Sequence, residues 1–193
     1  NSEYSDFGAI QWDTTIYFSS QRFVESKPVL KPARQLAKII SGTDNNVNPV
    51  NAEFNRRELS VANSVFNTDK SKLFYTVCEF KADNELRCDL FWSKVNADGS
   101  FSEEQMVAAP INMAGYTTTQ PSFAKDPING NEVLYFVSDR PGGKGKLDLW
   151  MSVFDKRLGF SNPINLTDIN TAENDVTPFF HQEPRVLYFS SEG

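Results

Sequence analysis

Residues 132–152 read EVLYFVSDRPGGKGKLDLWMS. Two short apolar runs, 133–137 and 147–151, flank the segment Ser138-Asp139-Arg140-Pro141-Gly142-Gly143-Lys144-Gly145. A proline and three glycines between β-prone runs predict a hairpin, because glycine enters the φ > 0 conformations that a tight loop requires. From 133 to 137 and from 149 to 151 apolar residues stand side by side instead of alternating with polar ones. That pattern predicts strands covered on both faces.

Working outward, the Leu-Tyr-Phe element recurs. Its four copies are residues 16–20 (IYFSS), 73–77 (LFYTV), 134–138 (LYFVS) and 187–191 (LYFSS). The steps between Tyr17, Phe74, Tyr135 and Tyr188 are 57, 61 and 53 residues, within the range of a propeller blade carrying long loops. Other elements keep this phase. Residues 89–93 (DLFWS) match 148–152 (DLWMS), and Phe101-Ser102 matches Phe160-Ser161. Pro110-Ile111-Asn112 is paired with Pro163-Ile164-Asn165, and an apolar element precedes each Leu-Tyr-Phe copy. Short polar connections such as Asn96-Ala97-Asp98-Gly99 have hairpin-turn chemistry. The expected fold is therefore all-β: a partial β-propeller of four-stranded antiparallel blades, about three and a half in number, forming one domain over residues 1–193. Blade one is expected at about 5–58, blade two at 59–117, blade three at 118–173 and the start of blade four at 174–193.

One stretch is ambiguous. Ala33, Leu36, Ala37 and Ile40 have helical spacing within residues 32–42. Residues 32–36 nevertheless fall where 162–166 fall in blade three, so an outer strand of blade one is expected, followed by a polar, Asn-rich loop at 43–55. Three and a half blades cannot close a ring, so further blades or a covering partner are expected. The start at Asn1 likewise reads as a segment of a longer protein.

Composition narrows the function classes. Hydrophobic residues make up 39% of the chain and charged residues 23%, with sixteen Phe; a disordered tail is excluded, and aromatics favour pleated surfaces. No run approaches the roughly 20 apolar residues of a spanning helix. A net charge of −6 argues against nucleic acid and against a basic membrane-binding patch.

Residues 121–123 (PSF), Leu134 to Gly143, Gly145 and 148–150 (DLW) resemble the WD40-like, TolB-like repeat known as PD40. The Arg-Pro-Gly-Gly loop is similar to that in propellers of Bacteroidota OmpA-family envelope proteins, a group that includes a lipoprotein of the type IX secretion system. The resemblance is best from residue 118 onward; blade two lacks the Pro-Gly-Gly loop and blade one lacks the Asp-Leu-Trp element. It implies a non-catalytic module without cofactor or metal, periplasmic and associated with the outer membrane. Its implied partners are envelope proteins, secretion-system components among them, with peptidoglycan reached only through a further domain.

Cys78 and Cys88 are the only cysteines. On the repeat alignment they take the places of Asp139 and Leu147, at the base of one hairpin, where a cross-strand disulfide is geometrically reasonable. Two reduced thiols in a cytosolic protein are the alternative, and the envelope location implied by the resemblance favours the bond. With one histidine, the pair is too few for a zinc site. That histidine, His181, is expected in a solvent-facing turn, and no Gly-x-Ser-x-Gly elbow accompanies it. Residues 142–146 (GGKGK) lack the spacing of a phosphate-binding loop. Asp139, Arg140, Gly142, Gly143 and Asp148 are expected to organise their loop, with ligand contact as the lesser alternative. The overall expectation is a scaffold or protein-interaction propeller, and the alternative is a glycan- or peptide-binding propeller of a carbohydrate-active or peptidase-associated envelope protein.

Overall fold

The computed structural model describes residues 2–26, 33–43, 46–56, 58–81 and 85–193. Each repeat is an antiparallel meander. The first comprises β1 (Asp6–Trp12), β2 (Thr15–Val24), β3 (Gln35–Thr43) and β4 (Asn46–Pro49), hydrogen-bonded in that order. A four-residue helix, α1 (Glu53–Arg56), leads to β5 (Ser60–Phe66), β6 (Lys72–Phe80), β7 (Leu86–Val95) and β8 (Phe101–Met106). The third sheet is β9 (Thr118–Lys125), β10 (Glu132–Ser138), β11 (Asp148–Asp155) and β12 (Gly159–Phe160), with β13 (Ile164–Asn165) also paired to β11. The last two strands, β14 (Asp175–His181) and β15 (Val186–Ser191), pair with each other.

The continuous apolar runs of β6 and β10 exist because each of these strands packs against a neighbouring unit on both faces. On β6, Leu73, Tyr75 and Val77 enter a core shared with Tyr17, Ile39 and Phe54 of the first unit. Phe74, on the opposite face, enters a second core with Phe123, Leu134, Phe136 and Trp150 of the third. Phe74 meets Phe123 at a ring separation of 4.8 Å, and Phe54 meets Tyr75 at 4.5 Å. β15 differs: Tyr188 and Phe189 carry the same pattern but are exposed.

The first strand of every unit is bulged at the same place. Register slips between Phe7 and Ile10, between Ala62 and Val65, between Val176 and Phe179, and in β9 opposite Tyr135–Val137. Gly8, Asn63, Gln120 and Thr177 stand there with φ of 63°, 52°, 53° and 55°. A bulge leaves an amide without a ladder partner, and a neighbouring unit supplies the acceptor. Asn63 N donates to Ser19 Oγ at 2.9 Å, and Gln120 N donates to Thr76 Oγ1 at 3.1 Å. In the third unit the matching position is Val137, which has no hydroxyl, so Gln120 Oε1 accepts from Thr177 N at 2.7 Å.

Three expectations are corrected. Residues 35–43 are a strand, but β3 is the third strand of its sheet and β4 lies outside it; Pro32 falls outside the described residues. The segment after Thr43 is not a plain loop, because it carries β4 and α1. The pairing of Pro110-Ile111-Asn112 with residues 163–165 also fails. Asn112 Nδ2 donates to Leu90 O (2.8 Å) as Asn170 Nδ2 donates to Leu149 O (2.9 Å), so Asn170 is its counterpart.

Candidate functional site

Asp139, Arg140, Gly142, Gly143 and Asp148 come together around the β10–β11 loop. Arg140 is only 6% exposed. Its Nε donates to Ser138 Oγ (3.0 Å), and its two amino nitrogens donate to Pro110 O (3.0 Å), Ile111 O and Thr118 Oγ1 (3.2 Å). The guanidinium also lies 4.7 Å from the Phe136 ring centre and 5.4 Å from that of Trp150. Burial pushes its pKa down to about 10 while Asp139 pulls it back up, so it remains cationic at neutral pH. It binds the chain leaving the second sheet to the loop of the third. Arg22 does the same on a smaller scale in the first unit, reaching Ser20 Oγ at 2.8 Å and Asp6 at 3.3 Å.

Asp148 is 1% exposed and accepts from the amides of Lys144 and Gly145 and from Asn165 Nδ2. A side chain at Gly143 would collide with this carboxylate, and Gly142 sits at φ 92°. Both glycines are therefore required by the loop's shape. Asp139 accepts from Thr117 N at 2.6 Å and pairs with Arg87 of the second unit at 3.4 Å. Directly beside Arg87, Cys78 and Cys88 stand opposite each other on β6 and β7 and are disulfide-bonded, with Cα atoms 4.1 Å apart.

The opposite end, where the β5–β6, β9–β10 and β11–β12 turns lie, is open. A groove of about 760 Å³ runs between the second and third units. Lys72, Lys125, Lys156 and Arg157 line it, along with Asp69, Glu132 and Asp155. The carboxylates are occupied with turns. Glu132 accepts from Thr68 N and Oγ1, Asp69 from Ser71 N, and Asp155 from the amides of Arg157 and Leu158. Hydrogen bonds from Ser71, with Asn67 and Lys156 contributing, hold the Asp69 carboxyl below its ordinary range. Lys72 Nζ lies 3.8 Å over the Trp92 ring. A smaller neighbouring opening gathers the first strands of all four units, with Ile10, Phe66, Phe123, Phe179 and His181 on its wall. His181 is the last residue of β14, paired with Val186, and not in the turn that follows.

The groove was not foreseen, because its cations come from three separate segments with no common motif. The buried asparagines were also missed. Asn55, Asn112 and Asn170 each hold a third-strand residue (Ile39, Leu90, Leu149) through both its N–H and its C=O. Their spacing of 57 and 58 residues repeats the period and was the available signal.

With this geometry in view, solved structures are informative. An endo-arabinase from Bacteroides thetaiotaomicron VPI-5482 superposes over 94% of this chain and 67% of its own, with a TM-score of 0.58 and 12% identity. The fold is that of a partial β-propeller. A thermostable family-43 glycoside hydrolase matches over 90% of this chain and 58% of its own, with a TM-score of 0.51 and 15% identity. At such identities the likeness concerns blade architecture alone. No protein-family model and no curated protein matches the sequence. Among the described residues, no helix of this propeller is long and apolar enough to cross a membrane, and no group of three or more His, Cys, Asp or Glu could hold a metal.

Proposed function

We propose that this propeller is a non-catalytic protein-interaction module of the bacterial envelope. One observation carries the reading. The side chains with chemical potential at the loop end (Arg140, Asp148, Asp139) are engaged in bracing the blades, whereas the most exposed large apolar side chains crown the turn end. Ile128 is 93% exposed and Leu158 84%. Loops displayed on a rigid scaffold are the usual seat of recognition. The Cys78–Cys88 bond suits an oxidising compartment such as the periplasm. The finer reading is a PorE-like component of the outer-membrane-associated, peptidoglycan-linked type IX secretion system; it rests on the PD40-like motifs at residues 121–123 and 134–150.

The rival reading, a glycan-binding or glycan-cleaving propeller, draws on the endo-arabinase likeness. Two features weigh against it. Glycosidase chemistry requires a pair of carboxylates flanking the bond, and the first strands carry only Asp6 and Asp175. Asp6 is held by Ser2 and Arg22, and Asp175 is fully buried. Lys72 also covers one face of Trp92, which closes that face to a stacked sugar. Capture from envelope extracts on immobilised protein, run beside a glycan array, tests the choice. A reproducible protein partner with a blank array is expected; array binding with no protein captured would overturn it.

A further inference from the structure

We infer that the groove between blades two and three, with the turn tips of blade three, binds an acidic peptide segment bearing aliphatic side chains. This deepens the protein-interaction reading and rests on it. The chain as a whole is acidic, at −6, yet four cations converge on this groove against three carboxylates. Among the described residues, Lys72, Lys125, Lys156 and Arg157 form no ion pair with a carboxylate. The three carboxylates each have an oxygen committed to turn or backbone donors. Lys125 and Arg157 are thus open to an anion, while Lys72 lies over the Trp92 ring and Lys156 also acts on Asp69. Lys125, Lys156 and Arg157 are exposed, so their contribution is to steering and register and falls with salt.

Charge alone would admit an acidic polysaccharide. The apolar groups favour a peptide. Ile128, three residues after Lys125 in the β9–β10 turn, and Leu158, next to Arg157 in the β11–β12 turn, stand exposed as aliphatic knobs. Such knobs bury against other aliphatic side chains and offer no flat ring to a sugar. Deeper in the groove Phe74, Val107, Phe154 and Phe160 provide an apolar floor, suited to a Leu or Val from the partner.

The probe is a fluorescein-labelled peptide of four Glu-Gly-Leu units, titrated with the full 193-residue chain and read by anisotropy at low and moderate salt. Peptides of Lys-Gly-Leu and Glu-Gly-Ser and an oligogalacturonate serve as comparators. Saturable binding of the Glu-Gly-Leu peptide is expected, several-fold weaker at higher salt and at least tenfold weaker for K125E/K156E/R157E. I128S/L158S should weaken it several-fold. Both variants alter exposed side chains, and unchanged melting curves verify the fold. Equal or tighter binding of oligogalacturonate, or no saturation by the peptide, would overturn the inference. Capture from envelope extracts separates the two levels. A partner retained equally by K125E/K156E/R157E sinks the groove while leaving the interaction reading intact; absence of any protein partner sinks the reading itself.

Discussion

Asn112 grips Leu90 from both sides: its Oδ1 accepts the Leu90 amide at 2.9 Å, and its Nδ2 donates to the Leu90 carbonyl at 2.8 Å. The same Nδ2 reaches Val107 O at 2.8 Å. Leu90 is fully buried, so neither group has access to water. Asn112→Ala would orphan the buried Leu90 amide, while the Leu90 carbonyl keeps the Val107 amide, and a loss of about 1–3 kcal/mol is expected. Urea denaturation checks this, and Asn170→Ala should behave alike. A loss under about 0.5 kcal/mol in both would show that the asparagines are bystanders.

Neighbouring blades are joined through the bulged first strands. Thr76 is fully buried, and its hydroxyl receives the Gln120 amide. Thr76→Val keeps the shape and removes the acceptor, so a loss of about 1–2 kcal/mol is expected. Ser19→Ala tests the preceding junction, where Asn63 N is the donor. Amide exchange at Asn63 and Gln120 should accelerate in the corresponding variant, and unchanged protection would contradict the junction.

These two devices mark what the sequence left hidden. Apolar runs at 73–77 and 134–138 were legible as strands because burial on both faces leaves a continuous signature. The Asp89–Asp148 phase was legible because the same strand pairing needs the same register. A buried Asn inside a polar connection, by contrast, looks like ordinary turn chemistry until the backbone groups it satisfies are in place. The bulges were hidden because Gly8, Asn63, Gln120 and Thr177 share a backbone conformation and no side-chain type. At the candidate site, Asp139, Arg140 and Asp148 were legible as a loop-organising set. The groove opposite was not, since it exists only once turns of two blades and the chain at 107–110 converge.

Asp89 offers a pH test. Burial raises its carboxyl above the ordinary value, with Lys81 pulling it back. The folded chain therefore holds this proton more tightly than the unfolded chain does. The ionised form detracts from stability at neutral pH, and the penalty disappears as pH falls below the unfolded carboxylate value. Asp89→Asn should raise the urea midpoint at pH 7, with an advantage that shrinks towards pH 4. An advantage that grows on acidification would contradict this account.

The Cys78–Cys88 bond closes a short loop and should contribute about 3 kcal/mol by restricting the unfolded chain. Cys78→Ser/Cys88→Ser is expected to fold and to melt several degrees lower, whereas dithiothreitol should lower the melting point of the wild type and leave that variant unmoved. Identical melting of the wild type with and without reductant would contradict the assignment.

The central claim is that the conspicuous polar residues of the Arg-Pro-Gly-Gly loop brace the propeller while recognition happens at the other end. Arg140→Lys tests it most directly, because an ammonium cannot satisfy four acceptors arranged for a planar guanidinium. Melting temperature and partner capture are measured on the same preparation, well below the transition. A melting point lower by about 5–10 °C with unchanged capture is the predicted result; an unchanged melting point with capture lost would contradict the account.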